Sequence, residues 1–356
     1  MSTEASPGDR GRALGLAQRD RIGLVTDVYA RLYALNGLGP AEVARFGRQA
    51  VDRIAVYWPE LGTEIEGIAA GSGLPVETIG ALNARTELLA ASAGECSTIA
   101  CLGSMTASGS AFGVQTWDWH NELADGWIVW TIEHPDGRRV ETLTEAGIVG
   151  KIGINDRGVA VLLNILGHSD DGPPVGVPIH VLCRSVLDQA DGAVTALELV
   201  AAADVSASSA ITVVTDEDGG TVCTVEVSRA GPGFVTPDDR GVLVHTNHFL
   251  EDPGRDGDSA LRESPGTILR LNLARRRLGA MRPGEATPTP VLAARSSHRG
   301  GPSAICCHHE PGAALGDRWT TLATVVAEPA LRELVVYRGG PCQIEAASTT
   351  AAAARQ

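Results

Sequence analysis

Cys96 is the residue whose type and surroundings most invite chemistry. It follows Gly94-Glu95 and opens a run of small and β-branched residues, Ser97-Thr98-Ile99-Ala100, that reads as a short strand. A thiol attacks as the thiolate, so it needs exposure and a base. The strand-end histidines nearest in sequence, His120 and His134, are not placed for that task. A nucleophile at a chain terminus needs no histidine, because its own α-amine, with an ordinary pKa of about 7.7–8.0, can take the proton. That chemistry requires cleavage of the Glu95–Cys96 bond. Read from its residues alone, Cys96 is either such a nucleophile or a buried core thiol. Cys101, Cys183, Cys223, Cys306, Cys307 and Cys342 read as core thiols.

Asp118 lies between Trp117 and Trp119 at the end of a second strand. A hairpin would return it to Cys96, where its carboxylate could orient a new amine; the alternative is a strand-end aspartate capping a turn. The two tryptophans would shape an acyl or aromatic pocket. Asn247 ends an apolar strand, and its NH2 suits a developing oxyanion. His248, the other base to weigh, is turned to the opposite face by strand alternation. His308-His309, with His298 and Glu310, raises the question of metal. Adjacent histidines on a strand face opposite ways and no third ligand has suitable spacing, so no metal is expected. There is no phosphate loop and no G-x-S-x-G elbow, and no cofactor is expected.

The elements that must position these residues fall into two regimes. Residues 1–10 are polar and read as a disordered lead without an apolar signal segment. Helical spacing then covers residues 12–35, ending at Asn36-Gly37, and continues over 40–58, 59–71 and 75–91, the last carrying Asn83, Arg85 and Glu87 in a register that could face a site. From Cys96 the period changes. Strands are expected at 98–102, 111–116, 127–134, 138–144, 150–155 and 158–163, an antiparallel meander with turns at Pro135-Asp136-Gly137 and Asn155 to Gly158. Helices at 178–189 and 193–202, strands at 209–216, 220–228 and 241–246, and a helix at 264–278 follow. A Pro-rich linker at 283–290 leads to strands at 302–308, 320–327 and 333–337. This order predicts an α+β, four-layer architecture, two stacked antiparallel sheets covered by helices.

Composition sets the outer limits. The 356 residues are 44% hydrophobic but only 4% aromatic, with 42 glycines and a formal charge of −14. That balance, with no long basic run, argues against nucleic acid and anionic membrane surfaces. Seven cysteines without a CxxC pair suit a reducing cytoplasm, and no apolar run is long enough for a membrane span.

Taken together, Pro59-Glu60-Leu61, Glu66 to Ala69, Leu82 to Leu88, Cys96-Ser97-Thr98, Gly113 to Trp119, Gly153-Ile154-Asn155, Thr246 to Phe249 and Asp317 to Thr320 give a resemblance running from Pro59 to Cys342. The chain resembles the autoproteolytic cysteine N-terminal-nucleophile (Ntn) hydrolases and acyltransferases, the peptidase C45-like family. That family is typified by isopenicillin N acyltransferase (acyl-coenzyme A:6-aminopenicillanic acid acyltransferase) and includes N-β-alanyl-dopamine hydrolase and carcinine hydrolase. The resemblance implies an αββα Ntn fold and a precursor that cuts itself before Cys96. It implies residues 11–95 as a helical α chain and residues 96–343 as the sheet-rich catalytic β chain of the same domain; residues 344–356, mostly Ala and Thr towards the end, read as a flexible tail. It assigns Cys96 as nucleophile, Asp118 as orienting carboxylate, Asn247 as oxyanion donor, and an arginine near the end of the fold, matched to Arg318 with Arg295 as the alternative. The function implied is cleavage of a small N-acyl amide through an acyl-enzyme. The alternatives are acyl-coenzyme A-dependent N-acyl transfer and a non-processing binding protein on the same scaffold. The expected partners are a small-molecule amide or acyl donor and the chain's own two fragments. Two departures stand out: Glu95 where the family has glycine, and Thr116 where it often has asparagine.

Overall fold

Residues 1–89 and 96–344 are described by a computed structural model; the Glu95–Cys96 junction and the tail from residue 345 lie outside the described residues. The chain starts as structure rather than as a lead. Ser2 bridges to Ile132, its Oγ accepts from Trp130 Nε1 at 2.9 Å, and helix α1 (Pro7–Ala17) begins at once with Ser6 as its cap. The polar composition suggested disorder, but two features draw this segment in. Gly11 packs on helix α4 (Pro59–Ser72) so closely that a Cβ there would fall 2.0 Å from Glu64 O. Arg10 is buried against Glu64 at 2.6 Å. Helices α2 (Arg19–Leu35) and α3 (Pro40–Tyr57) precede α4. The helix expected at 75–91 divides at Ala84 into α5 (Val76–Asn83) and α6 (Arg85–Leu88).

Two antiparallel sheets follow. Strands β1 (Cys96–Cys101) and β2 (Phe112–His120) form a hairpin. Strands β3 (Trp127–Glu133), β4 (Arg139–Glu145), β5 (Ile152–Asn155) and β6 (Val159–Ile165) form the expected meander. Helices α7 (Ile179–Gln189) and α8 (Ala193–Ala201) then interrupt it before β7 (Ser209–Thr215), β8 (Val222–Val227) and a short β9 (Gly233–Val235). These seven strands pair strictly in chain order. The other sheet has five strands in the order β10-β1-β2-β11-β12, using β10 (Val242–His245), β11 (Trp319–Glu328) and β12 (Glu333–Arg338). Between β10 and β11 lie α9 (Ala260–Glu263), α10 (Gly266–Leu278) and α11 (Pro288–Arg295).

The two sheets stack, with α7 and α8 on the outer face of the larger and α10 and α11 on the outer face of the smaller. This is the four-layer α+β arrangement of the Ntn fold. Gly113 lets the sheets come close together, since a Cβ there would sit 2.6 Å from Leu162 Cδ1. Beside it, Gln115 of β2 bonds both backbone groups of Leu163 in β6 with its amide. A separate apolar layer, with Ile99, Val114, Val242 and Val244 facing Leu271, Ala274 and Leu278, fixes α10 over β1 and β10. Residues 302–308 are not a strand. Cys307 N–H donates to the Thr321 hydroxyl at 2.9 Å instead of joining a ladder.

Candidate active site

The strand register builds the site. In the β1–β10 ladder Thr98 pairs with His245. Continuing it by two residues sets Cys96, at the start of β1, beside Asn247, just past the end of β10. The Cys96 N–H donates to Asn247 Oδ1 at 2.8 Å, while Asn247 Nδ2 donates to Ile165 O at 2.8 Å. On the other side, Cys96 pairs with Trp117 in the β1–β2 hairpin. This places Asp118 next to it, where its backbone N–H favours the Cys96 thiolate. The Asp118 carboxylate accepts from the Thr321 hydroxyl at 2.5 Å. The structure therefore brings Cys96, Asp118 and Asn247 together, all three buried.

Arg318 is elsewhere. Its guanidinium bonds Ala313 O at 2.7 Å and Glu122 at 3.1 Å, and its side chain is 43% exposed. The side chain of Arg295 lies outside the described residues. The guanidinium at Cys96 is that of Arg270, from α10. It donates to Cys96 O at 2.7 Å, to Ser97 Oγ at 3.1 Å and to Asn247 Oδ1 at 3.1 Å. A sequence signal for it existed: the buried face of α10 runs Thr267, Arg270, Leu271, Ala274, Leu278, so an arginine occupies a helical core stripe. A buried arginine in such a stripe requires oxygen partners.

Lys151, just before β5, is a second residue not singled out by the motifs. It is the only lysine among the 29 lysines and arginines of the sequence. It is buried with Nζ 3.5 Å from the Trp117 ring centroid and 3.4 Å from Glu145. Burial pulls it down to about 7, against the pull of Glu145 and with the push of Arg85. Arg85 pairs with Glu145 at 3.0 Å and lies over Trp119. Tyr29 donates to Glu145 and accepts from Trp119 Nε1. Arg85 thus packs the helical segment onto β2 and β4. Asn83 and Glu87 brace the same segment, Asn83 on Gly147 and Val149, Glu87 on the first N–H of α7.

The electrostatics identify which groups can move protons. Burial, helped by Asp118, pushes the Cys96 thiol up to about 11, against the positive charges of Lys151 and Arg270 and the Asp118 N–H. The thiol is therefore neutral at pH 7 and needs a base. Burial pulls His120 and His248 down to about 4. His120 packs on Trp319, His248 bonds Thr267, and His134 bonds Asp188. A narrow cavity of about 10 Å³, room for about one water, adjoins the site between Trp119, Ile165, Thr86 and Leu89.

The sequence matches the family described as acyl-coenzyme A:6-aminopenicillanic acid acyl-transferase over residues 104–275, a span that takes in Asp118, Lys151, Asn247 and Arg270. The acyl-coenzyme A:6-aminopenicillanic-acid-acyltransferase 40 kDa form of Emericella nidulans is 30% identical over 258 residues, 71% of this chain and 70% of that one. The chain belongs to this acyltransferase family. It is accordingly an enzyme of the hydrolase/acyltransferase type, with Ntn chemistry on a small acyl or amide substrate. Among solved structures, penicillin V acylase from Agrobacterium tumefaciens aligns over 68% of this chain and 83% of its own, at 14% identity and a TM-score of 0.46. No helix among the described residues is long and apolar enough to cross a membrane.

Proposed function

We propose that this chain cuts itself between Glu95 and Cys96 and then hydrolyses a small N-acyl amide through an acyl-enzyme on Cys96. One observation carries the reading: both backbone polar groups of Cys96 are held by side chains of the site. Its nitrogen donates to Asn247 Oδ1 and its carbonyl accepts from Arg270, while the Asp118 N–H favours the thiolate. A cysteine that merely filled the core would not require side-chain partners on its backbone.

In self-cleavage the Cys96 sulfur attacks the Glu95 carbonyl carbon. The C–N bond breaks, the nitrogen leaves as the Cys96 amine, and water hydrolyses the thioester to free the Glu95 carboxylate. In turnover that amine takes the thiol proton and the sulfur attacks the substrate amide carbon. The leaving amine departs with the proton, and water releases the acid from Cys96. Asn247 Oδ1 holds the nitrogen in place, and the Asn247 NH2, on giving up Ile165 O, meets the oxyanion. Asp118 orients the amine. The arginine role goes to Arg270 rather than Arg318, with its charge, together with that of Lys151, favouring the thiolate.

Intact mass under denaturing conditions tests the first step. Wild type is expected as two fragments split at Glu95/Cys96, and Cys96→Ala as one full-length chain. A single full-length mass in both would overturn self-cleavage and favour a non-processing binding role. The name of the Emericella relative favours a second reading, acyl exchange with acyl-coenzyme A. Product formed only when an acyl-coenzyme A donor is supplied would establish it. The charge of −14 with no long basic run argues for hydrolysis over binding of that polyanion.

A further inference from the structure

Away from Cys96, four soft or borderline ligands converge from three separate segments. His298 follows α11, Cys306 and His308 precede β11, and Cys342 follows β12. Their ligating atoms all lie within 4.8 Å of one another. His308 Nε2 is 3.6 Å from Cys306 Sγ and 3.5 Å from Cys342 Sγ, and the His298 ring stands edge-on to His308 with centroids 4.9 Å apart. We propose that these four side chains form a tetrahedral zinc site.

The distances fit the ion. With Zn–S at about 2.3 Å and Zn–N at about 2.0–2.1 Å, the sulfur-to-nitrogen edge of a tetrahedron is about 3.6 Å. Two thiols and two imidazoles select zinc over the hard cations. Four protein ligands leave no open position, so the site is structural. Thiol-to-imidazole hydrogen bonding is the competing account. With its lone pair on Nε2, His308 accepts from one thiol only, so hydrogen bonding explains both short contacts only where Nε2 carries the proton or the two thiols bond each other; metal content decides between the two accounts. Zinc binding is balanced by release of the two thiol protons.

The surroundings are shaped for a fixed clip. A Cβ on Gly340 would lie 2.5 Å from Cys306 Sγ, so the chain after β12 closes directly on the ligand. Cys306 N–H donates to Ser297 O at 3.1 Å, tying two of the three segments. The neighbouring Cys307 exchanges bonds with Thr321, whose hydroxyl reaches Asp118. The clip thereby holds the support of the Asp118 carboxylate.

The full chain, purified without chelator from zinc-supplemented medium, is expected to carry one zinc per chain by elemental analysis. Cys306→Ser with Cys342→Ser is expected to drop zinc to background, while His309→Ala keeps it. Should the double variant fail to fold, wild type reloaded with Co²⁺ is expected to show thiolate-to-cobalt charge transfer and the intense visible bands of tetrahedral cobalt. His298→Ala, at an exposed ligand, is expected to lose affinity by more than about 100-fold in competition with a chromogenic chelator. Sub-stoichiometric zinc in wild type, zinc retained by the double variant, or a Cys306–Cys342 disulfide as the stable form in zinc-supplemented protein would each overturn the site.

Discussion

The two sheets reach similar geometry by opposite routes. The larger takes β3 to β9 in chain order, so each pairing closes over a short turn or, once, over the α7–α8 excursion. The smaller places β1 and β2 between β10 and β11, partners that arrive more than a hundred residues later. The proposed chemistry is in the second sheet. Each group on Cys96 comes from a different part of the chain: Asp118 from the hairpin, Asn247 beyond β10, Arg270 from α10. Local pairing builds a scaffold, whereas distant pairing lets several unrelated segments meet at one residue.

This contrast predicts that substitutions in the smaller sheet alter rate and substitutions in the larger alter stability. Cys96→Ala should have the largest effect, removing self-cleavage and lowering turnover by on the order of 10⁴-fold or more, read by intact mass and amide hydrolysis. Arg270→Leu and Asn247→Ala should each cost about 10²–10³ in kcat. Arg270→Lys should recover part of that loss, since it restores charge without the fork. In the larger sheet, Asn155 binds the Arg157 and Val159 N–H groups and the Leu187 and Ala190 carbonyls. Asn155→Ala should cost about 1–3 kcal/mol in urea unfolding with kcat per folded molecule unchanged. A matching fall in kcat would break the comparison.

Lys151 sharpens it, because it directly precedes β5 of the larger sheet yet leans on the site. The folded chain holds its pKa near 7, while the unfolded lysine keeps its proton to about 10.5. Between these values the unfolded state binds more protons, so this group makes stability rise with pH, by up to about 1.4 kcal/mol per unit. Lys151→Met should lose that slope, most clearly between pH 7 and 9, in denaturation midpoints measured against wild type. The smallest effect is expected from Arg318→Ala. Its guanidinium is half-exposed where it meets Glu122, so stability should move by about 1 kcal/mol or less and kcat by no more than about twofold. A large loss of kcat there would return the arginine role to Arg318.

The sequence by itself determined what depends on near neighbours. Alternation and turn chemistry placed the meander, helical periodicity placed most helices, and the Cys96-to-Asp118 hairpin was legible because its register closes within the hairpin. Tertiary structure alone decided what depends on which faces meet. Arg270 reaches Cys96 because α10 packs over β1 and β10, a docking that the helix's own periodicity cannot direct. Arg318 is adjacent in register to the site strand but turns to Glu122 and the solvent. His298, Cys306, His308 and Cys342 show no ligand spacing, because chain folding rather than local spacing joins the last of them to the rest. The physical reason is common to all three. Local torsions and hydrogen bonds act over a few residues, whereas a buried charge or ligand cluster is set by the packing that removes it from water.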